Sequence, residues 1–383
     1  MALHFEPQEF EARRTRVLEE MARRRFDALL MFAPESHYWL TGYDTFGYCF
    51  FQCLVLTREG AFTLLTRSAD LRQARHTSLL ENIVVWPDEA GASPAVQLRE
   101  LLNDLGLLGS RIGVEYDTHG LTAASGRALD EALKTFGTIE DASDLVPMLR
   151  VVKSEAELAY VRRAAELADD ALEAGLALIG PGADEGAILA AMQGAVFAGG
   201  GDYPANPFII GSAEDALLCR SKTGRRKLDA QDQITLEFAG VYRLYHVALM
   251  RTVIVGDPTD RHRELYAACA EALAACEEAM RPGATFGAVF DAHARVMEAH
   301  GMTRHRLNAC GYSLGARYAP SWMDPPMFYR DNPALIAPDM VLFAHMILMD
   351  SEAGDAMCLG RTYLTTDDAP EPLSRHGVEL PVR

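Results

Sequence analysis

The sequence has neither a long apolar run nor an excess of basic residues, and these absences exclude several classes of protein. No stretch of the 383 residues approaches the ~18 apolar residues that cross a bilayer, so we expect no membrane partner. Lys and Arg number 36 against 54 Asp and Glu, which gives a net charge of −18. Binding a phosphate backbone requires clustered basic side chains, so we expect no nucleic-acid partner either.

Cysteine occurs in too irregular a pattern for a disulfide framework. The seven cysteines lie at positions 49, 53, 219, 269, 276, 310 and 358, an odd and scattered set. Such a set is typical of a reducing compartment, where thiols stay free. The stretch MALHFEPQEFEARRTR also has acidic residues where a secretory signal would have an apolar core. We therefore expect a cytoplasmic protein.

The chain is rich enough in apolar residues, at 49%, to bury well-packed cores, and its length suits two domains. The amphipathic helix EFEARRTRVLEEMARRR is followed by the apolar strands DALLMF, CLVLT, FTLLT, IVVW and RIGVEY. Helix-like stretches accompany these strands near 68–76, 94–105 and 121–135. This alternation predicts an α/β N-terminal domain over residues 1–148.

The pattern changes at MLRVVKS, and residues 149–383 contain two helical pairs that are each followed by strand-rich segments. The first long helix begins at Ser154, which together with Glu157 fits a capping box. Its pair precedes strands within 206–254, and the pair 260–279 and 285–299 precedes strands within 307–318 and 339–366. The repetition predicts an α+β domain with an internal pseudo-two-fold duplication.

Four segments of this second domain occur in the order found in the pita-bread family. They are RVVKSEAELAYVRRAAE, LEFAGVYRLYHVALMRT, CGYSLG and PDMVLFAHMILMD. The family includes creatinase, aminopeptidase P, methionine aminopeptidase and ectoine hydrolase, and WLTGYDTF resembles its N-terminal domain. The sequence is most similar to the creatinase and ectoine hydrolase branch, through WLTGYD, the LE…YH.A.L.RT pattern, and GYSLG followed by Trp322. The resemblance implies a pita-bread fold for residues 149–383.

The resemblance also locates a site, because metallopeptidases of this family hold two metal ions with two Asp, one His and two Glu. Carried over residue by residue, these ligands fall on Glu237, Ala248, Cys310, His345 and Gly360. Only one of the five is still a carboxylate, whereas water-activating ions require a charge-compensating cage of oxygen or imidazole ligands. We therefore expect no metal and no other cofactor.

Glu237 is the surviving carboxylate, and its flanking residues Leu236 and Phe238 place it on an apolar strand. A buried carboxylate must be paired or hydrogen-bonded. One interpretation is a structural ion pair with Arg251. The other is a functional group that either grips an amidinium or guanidinium through two parallel hydrogen bonds or attacks an activated carbon.

His345 and His246 are the candidates for general acid and base, since both map to strands of one predicted pocket. A lone buried histidine is often structural, so the choice between them stays open, with His345 ranked first because it occupies a former ligand position. Cys310 is a small apolar residue in its ordinary role, and becomes a nucleophile only if a base such as His345 stabilises its thiolate. A mononuclear zinc site built from these three residues is a weaker alternative, because no close-spaced ligand pair supports it.

Further residues are candidates for binding a substrate. Tyr312 and Ser313 can donate hydrogen bonds to a developing oxyanion, or can simply pack within a strand. Arg220 belongs to a basic cluster that can receive a substrate carboxylate or remain solvated. Trp322 is expected to line a pocket wall, with core packing as the alternative.

In the pita-bread family the N-terminal domain often caps the pocket of a neighbouring subunit. The resemblance therefore implies a homodimer and brings Tyr43 and Phe46 to the substrate. The predicted pocket is small and carries one fixed negative charge, which suits a small cationic or zwitterionic substrate.

These observations lead to three hypotheses of function. The first is a metal-independent hydrolase that opens a C–N bond in a small amidine, guanidino or cyclic amide compound, as in creatinase and ectoine hydrolase. The second is a metallopeptidase resembling Xaa-Pro dipeptidases that works with substitute ligands. The third is a non-catalytic protein that binds a small molecule and has kept only the fold.

Overall fold

Two separate β-sheets form from the apolar runs of the sequence, one in each of two units. The computed structural model describes residues 3–222 and 224–383, and its units are Met1–Arg150 (unit 1) and Val151–Arg383 (unit 2). Within the described ranges, no helix combines the length and the apolar character needed to cross a bilayer.

Unit 1 is an α/β domain built on a six-stranded mixed sheet in the order β4-β3-β2-β1-β5-β6. Its strands are β1 (Ala28–Met31), β2 (Cys53–Thr57), β3 (Phe62–Arg67), β4 (Ile83–Trp86), β5 (Arg111–Val114) and β6 (Thr138–Asp141). Its helices are α1 (Pro7–Arg24), α2 (Pro34–Thr41), α3 (Ser68–Thr77), α4 (Pro94–Asp104), α5 (Ala123–Leu133) and α6 (Leu145–Arg150), with a short 3₁₀ turn at Gly47–Cys49.

Both faces of this sheet are covered, which explains the continuous apolar runs of its central strands. Leu29 and Met31 of β1 belong to one core, whereas Ala28 and Leu30 belong to the core on the other face. The five predicted strands and the predicted helices of this region are confirmed, and α2, α6 and β6 are additions that the sequence patterns did not indicate.

Unit 2 is built on an eight-stranded antiparallel sheet in the order β11-β10-β12-β13-β9-β8-β7, with β14 paired to β13. Its strands are β7 (Ile209–Ser212), β8 (Asp232–Tyr242), β9 (Tyr245–Val255), β10 (Ala309–Ser313), β11 (Asp324–Tyr329), β12 (Val341–Asp350), β13 (Asp355–Leu364) and β14 (Glu371–Pro372). Its helices are α7 (Glu155–Leu176), α8 (Glu185–Ala198), α9 (Asp260–Ala279) and α10 (Phe286–Ala299), with a 3₁₀ turn at Ala213–Leu217.

The predicted duplication is present in unit 2. Helices α7 and α8 pack together and precede the β8–β9 hairpin, while α9 and α10 pack together and precede β12 and β13. The two halves meet where β9 pairs with β13. The predicted capping box is also confirmed, because Ser154 and Glu157 exchange side-chain to backbone hydrogen bonds at the start of α7.

The packing of α7 decides which side chains of β8 are free to form a site. Gly240 of β8 lies directly against the backbone of Ala164 and Ala168 in α7. Because side chains of a strand alternate between faces, the even-numbered residues of β8 face the helices. The odd-numbered residues, Glu237 among them, face the other side of the sheet.

Candidate functional site

Strand register determines which residues share a face with Glu237. Directly paired residues of an antiparallel sheet point to the same side. Glu237 pairs with Met250, and Val241 pairs with His246 across the β8–β9 hairpin. Glu237 and His246 are therefore on one face, although four residues of separation along the strand correspond to about 13 Å.

The same face continues across β13, β12 and β10. Gly360 pairs with Met250 on one side and with His345 on the other. Tyr312 pairs with Phe343, which is two residues before His345 and thus on the same face. The register therefore gathers side chains from four strands on the face opposite the helices.

A chain of hydrogen bonds links three side chains on this face. The Tyr312 hydroxyl donates to Glu237 Oε1 at 3.3 Å, and the indole N–H of Trp322 donates to the Tyr312 oxygen at 2.9 Å. The His345 ring lies beside Tyr312, with 5.5 Å between ring centroids. Glu237, Tyr312, Trp322 and His345, together with the nearby Arg220, are the candidate site.

The pKa of the Glu237 carboxyl lies near neutral pH, so both of its protonation states are populated there. Burial raises the pKa of Glu237 to about 7, against the opposing effects of the Arg220 charge and of the Tyr312 hydrogen bond. Burial, together with the charge of Glu237, also raises the pKa of Tyr312 well above its usual range. At neutral pH the site thus contains a carboxyl group that can ionise and a phenol that stays protonated.

Arg251 does not pair with Glu237. Arg251 is paired with Leu236, so its side chain lies on the helix side of the sheet. Its guanidinium is buried and donates to the backbone carbonyls of Met250, Gly360 and Gly377. The interpretation of Glu237 as one half of a structural ion pair with Arg251 is therefore wrong.

His345 is a neutral imidazole with an unused nitrogen. Burial, together with the charge of Arg220, lowers the pKa of His345 to about 4. Within residues 3–222 and 224–383, no group forms a hydrogen bond with its buried Nδ1. This nitrogen is therefore available to a ligand.

His246 has both ring nitrogens occupied by the backbone. Its Nε2 accepts from the Ala205 N–H at 3.0 Å, so Nδ1 carries the proton and faces the Gly315 carbonyl at 3.4 Å. Burial lowers the pKa of His246 to about 4. The structure thus uses His246 to join two backbone segments, and does not bring it to the Glu237 carboxylate.

Cys310 and Ser313 lie on the same strand as Tyr312 but do not join the site. A bulge in β10 just before Tyr312 leaves the Cys310 thiol against the Cys276 thiol of α9, in the apolar core, where burial raises the pKa of Cys310 well above its usual range. Ser313 follows Tyr312 in regular register with β12, so its side chain has the opposite orientation. Tyr312 rather than Cys310 is the residue of β10 that faces Glu237, which corrects the ligand position carried over from the family.

Arg220 lies in the segment between β7 and β8 with its side chain exposed. Its charge lowers the pKa values of Glu237, Tyr312 and His345, so the guanidinium acts electrostatically on all three groups. Among the basic residues of this segment, Arg220 is thus the one that the structure brings to the candidate site.

The two candidate residues of unit 1 differ in accessibility. Tyr43 is buried in the core of unit 1, where its ring stacks on His37 with 6.1 Å between centroids. Burial raises the pKa of Tyr43 to about 12. Phe46, by contrast, is 79% exposed. Unit 1 therefore presents Phe46, but not Tyr43, to another molecule.

Two cysteines near Glu237 were missed as site residues in the sequence. Burial and the charge of Glu237 raise the pKa of the half-buried Cys219, and burial together with nearby thiols and Glu237 raises that of Cys358. The signal for Cys358 was its position two residues before Gly360 on one strand, since alternate residues share a face.

The donor atoms on this face do not fit a dinuclear metal centre. Ala248 and Gly360 supply no ligand atom, and the part of the chain that the structure describes contains no group of three His, Cys, Asp or Glu able to hold a metal ion. A side chain at Gly360 would also overpack the core, because a Cβ there would meet the Phe343 ring at 2.6 Å and Met250 Cβ at 2.8 Å. Apolar atoms thus fill one of the former ligand positions.

Comparisons with known proteins agree with this architecture. The model of the Creatinase/Prolidase N-terminal domain matches residues 13–152, and that of metallopeptidase family M24 matches residues 159–367. Ectoine hydrolase of Halomonas elongata is 28% identical over 364 residues, covering 90% of this chain and 90% of that protein.

Solved structures show the same fold. Dipeptidase PepE from Mycobacterium ulcerans matches with a TM-score of 0.86 and 22% identity over 99% of each chain. An Xaa-Pro dipeptidase from Bacillus anthracis matches with a TM-score of 0.84 and 19% identity, over 98% of this chain and 100% of the other. The M24 model covers more than half of the chain, and the protein is therefore a hydrolase of the metallopeptidase family M24 with the pita-bread fold.

Proposed function

We propose that the protein is a metal-independent hydrolase that opens a C–N bond in a small amidine, guanidino or cyclic amide compound. The observation that carries this proposal is the Glu237 carboxyl, hydrogen-bonded by Tyr312, on a face where Ala248 and Gly360 offer no metal ligand. The similarity to ectoine hydrolase supports a small non-peptide substrate and makes ectoine the first compound to assay.

Glu237 is the group that meets the reacting carbon. In its ionised form it either anchors the cationic C–N group or attacks the carbon directly, and in both cases water supplies the oxygen of the product. The unpartnered Nδ1 of His345 takes a proton from the attacking water and returns it to the departing nitrogen. No step requires a metal ion.

Arg220 favours a substrate that carries a negative charge as well. Its charge acts on both Glu237 and His345, so a zwitterion can place its cationic group on Glu237 and a carboxylate on Arg220. A dipeptide with a free carboxylate has the same end groups, which makes Xaa-Pro peptides the appropriate competing substrates.

We also propose that the protein is a homodimer, as the family resemblance implies, and that it is cytoplasmic, as its free and scattered cysteines indicate. In such a dimer the exposed Phe46 would be the residue that unit 1 offers to the pocket of the partner subunit.

The experiment is a comparison of ectoine and Xaa-Pro dipeptides as substrates, with and without a chelator. We expect turnover of ectoine or a related amidine that chelation does not change, and loss of at least about 10³-fold in kcat for Glu237→Gln. The matched control is Glu214→Gln, which alters an exposed carboxylate and should leave kcat unchanged.

Two results would overturn the proposal. Metal-dependent cleavage of Xaa-Pro dipeptides would support a metallopeptidase with substitute ligands. Tight binding of the zwitterion by calorimetry without any turnover would instead support a non-catalytic binding protein.

A further inference from the structure

The direction of the hydrogen bonds in the candidate site follows from the chemistry of the groups. An indole N–H is a donor only, so the Tyr312 oxygen must be the acceptor in its bond with Trp322. A phenol has a single proton, and the remaining partner of Tyr312 is Glu237 Oε1. The Tyr312 proton is therefore directed at Glu237.

Trp322 is held in place from several sides. Its side chain is 1% exposed, and its backbone N–H donates to Asn206 Oδ1 at 3.2 Å. The indole lies beside the His246 ring, with 6.3 Å between centroids. His246 is itself joined to the backbone of Ala205 and Gly315. The indole N–H is thus presented to Tyr312 by a well-packed wall.

The two oxygens of Glu237 are consequently not equivalent. Oε1 accepts the Tyr312 hydroxyl, whereas none of the described residues donates to Oε2. A carboxylate oxygen without a hydrogen bond keeps both lone pairs for a new partner.

We propose that Trp322 is a positioning residue that acts through Tyr312: by occupying the acceptor side of the phenol, it commits the Tyr312 proton to Glu237 Oε1 and leaves Oε2 to meet the substrate. This inference rests on the proposed function for its catalytic consequence, but the order of the hydrogen bonds is a property of the resting protein. It also reassigns Tyr312, whose only proton orients Glu237 rather than stabilising an oxyanion.

The order of the bonds can be tested by NMR without any substrate. The chain has three tryptophans, so ¹⁵N labelling gives three indole resonances, and Trp322→Phe identifies the one that belongs to Trp322. In Tyr312→Phe we expect this indole proton to move upfield and to exchange faster with water, because its acceptor is lost. The matched control is Tyr329→Phe, an exposed tyrosine of β11, in which the resonance should not move.

An unchanged Trp322 resonance in Tyr312→Phe would overturn the inference. If Trp322→Phe does not fold, Trp39→Phe and Trp86→Phe assign the remaining indole by elimination. The result is independent of turnover, so failure to find a substrate counts against the proposed function and not against this hydrogen-bond order.

Kinetics test whether Trp322 acts through Tyr312. We expect Trp322→Phe and Tyr312→Phe each to lower kcat by roughly 10-fold with little change in KM, the size of effect expected for one hydrogen bond. The double variant should be no worse than Tyr312→Phe alone, because both changes remove the same orientation of Glu237. If the losses in kcat of the two single variants multiplied in the double variant and KM rose, Trp322 would only pack against the substrate. That result would reject the positioning role.

Discussion

Arg251 pairs with Leu236, and this pairing places its guanidinium on the side of the sheet opposite the neighbouring Glu237 carboxyl. The adjacent residues Leu236 and Glu237 of β8 thus face opposite sides of the sheet, and the two sides have different roles. Leu236 shares its face with a buried cation that stabilises the backbone, whereas Glu237 faces the candidate site.

The first prediction concerns Arg251. Its guanidinium donates to three backbone carbonyls, two of them on the strands that carry the site. Arg251→Met should lower the free energy of unfolding by about 3 kcal/mol, because buried carbonyls lose their donors. Urea denaturation measures the loss, and the pH dependence of kcat/KM should stay that of the wild type. If the fall of kcat/KM at low pH moved to another pH in this variant, Arg251 would be shown to act on Glu237 after all.

The second prediction concerns the pH dependence of activity. Glu237 acts as a carboxylate, and its pKa is raised to about 7, so kcat/KM should fall as the pH is lowered through about 7. Arg220 lowers this pKa, so Arg220→Gln should move the acid limb to higher pH. Arg225→Gln removes an exposed charge from the same segment and serves as the control. If kcat/KM of Arg220→Gln fell at the same pH as that of the wild type, the charge of Arg220 would not act on Glu237.

Much of the fold follows from local patterns in the sequence. The apolar runs of unit 1 predict its strands, and the capping box at Ser154 predicts the start of α7. Both signals can be read from the sequence because apolar periodicity and helix capping depend on only a few neighbouring residues. Helix α2 was missed because all eight of its residues are buried, so it has no polar face. The start of α2 depends on Glu115, whose carboxyl accepts the backbone N–H groups of Phe32 and Ala33 from about 80 residues away.

The candidate site was only partly predictable for a related reason. Glu237 and His345 were placed in one pocket because both fall on ligand positions carried over from the family, and the strand register brings them to one face. The exchange of Cys310 for Tyr312 was missed because a single extra residue in β10 reverses the alternation; its sequence signal is Gly311, a glycine inside a strand, whose φ is 154°. The bond from Trp322 to Tyr312 depends on how the segment between β10 and β11 folds back, which periodicity does not describe.

The third prediction concerns stability in acid. Burial lowers the pKa of His246 from 6.5 to about 4, so the folded state resists a proton that the unfolded chain accepts. Stability should therefore decrease as the pH falls from about 6.5 to about 4, by up to roughly 3 kcal/mol for this residue. His246→Gln cannot titrate, and its amide can still accept from Ala205 and donate to Gly315.

Denaturation of the wild type and of His246→Gln across this pH range measures the contribution. The variant should lose less stability in acid than the wild type, while the exposed control His119→Gln should follow the wild type. Parallel curves for the wild type and His246→Gln would mean that His246 is protonated in the folded protein.

The fourth prediction concerns the closed ligand position at Gly360. A Cβ there would contact the Phe343 ring and Met250 Cβ well inside van der Waals distance, and both neighbours are buried. Gly360→Ala should lower the free energy of unfolding by about 2 kcal/mol, as overpacking of a tight core does. Gly194→Ala, in α8 with open space around it, should be neutral or slightly stabilising. Adding Phe343→Leu to Gly360→Ala should recover part of the loss, since the shorter side chain vacates the volume. If Gly360→Ala were as stable as the wild type, the cleft would have room for a side chain, and the argument that packing has closed the metal position would fail.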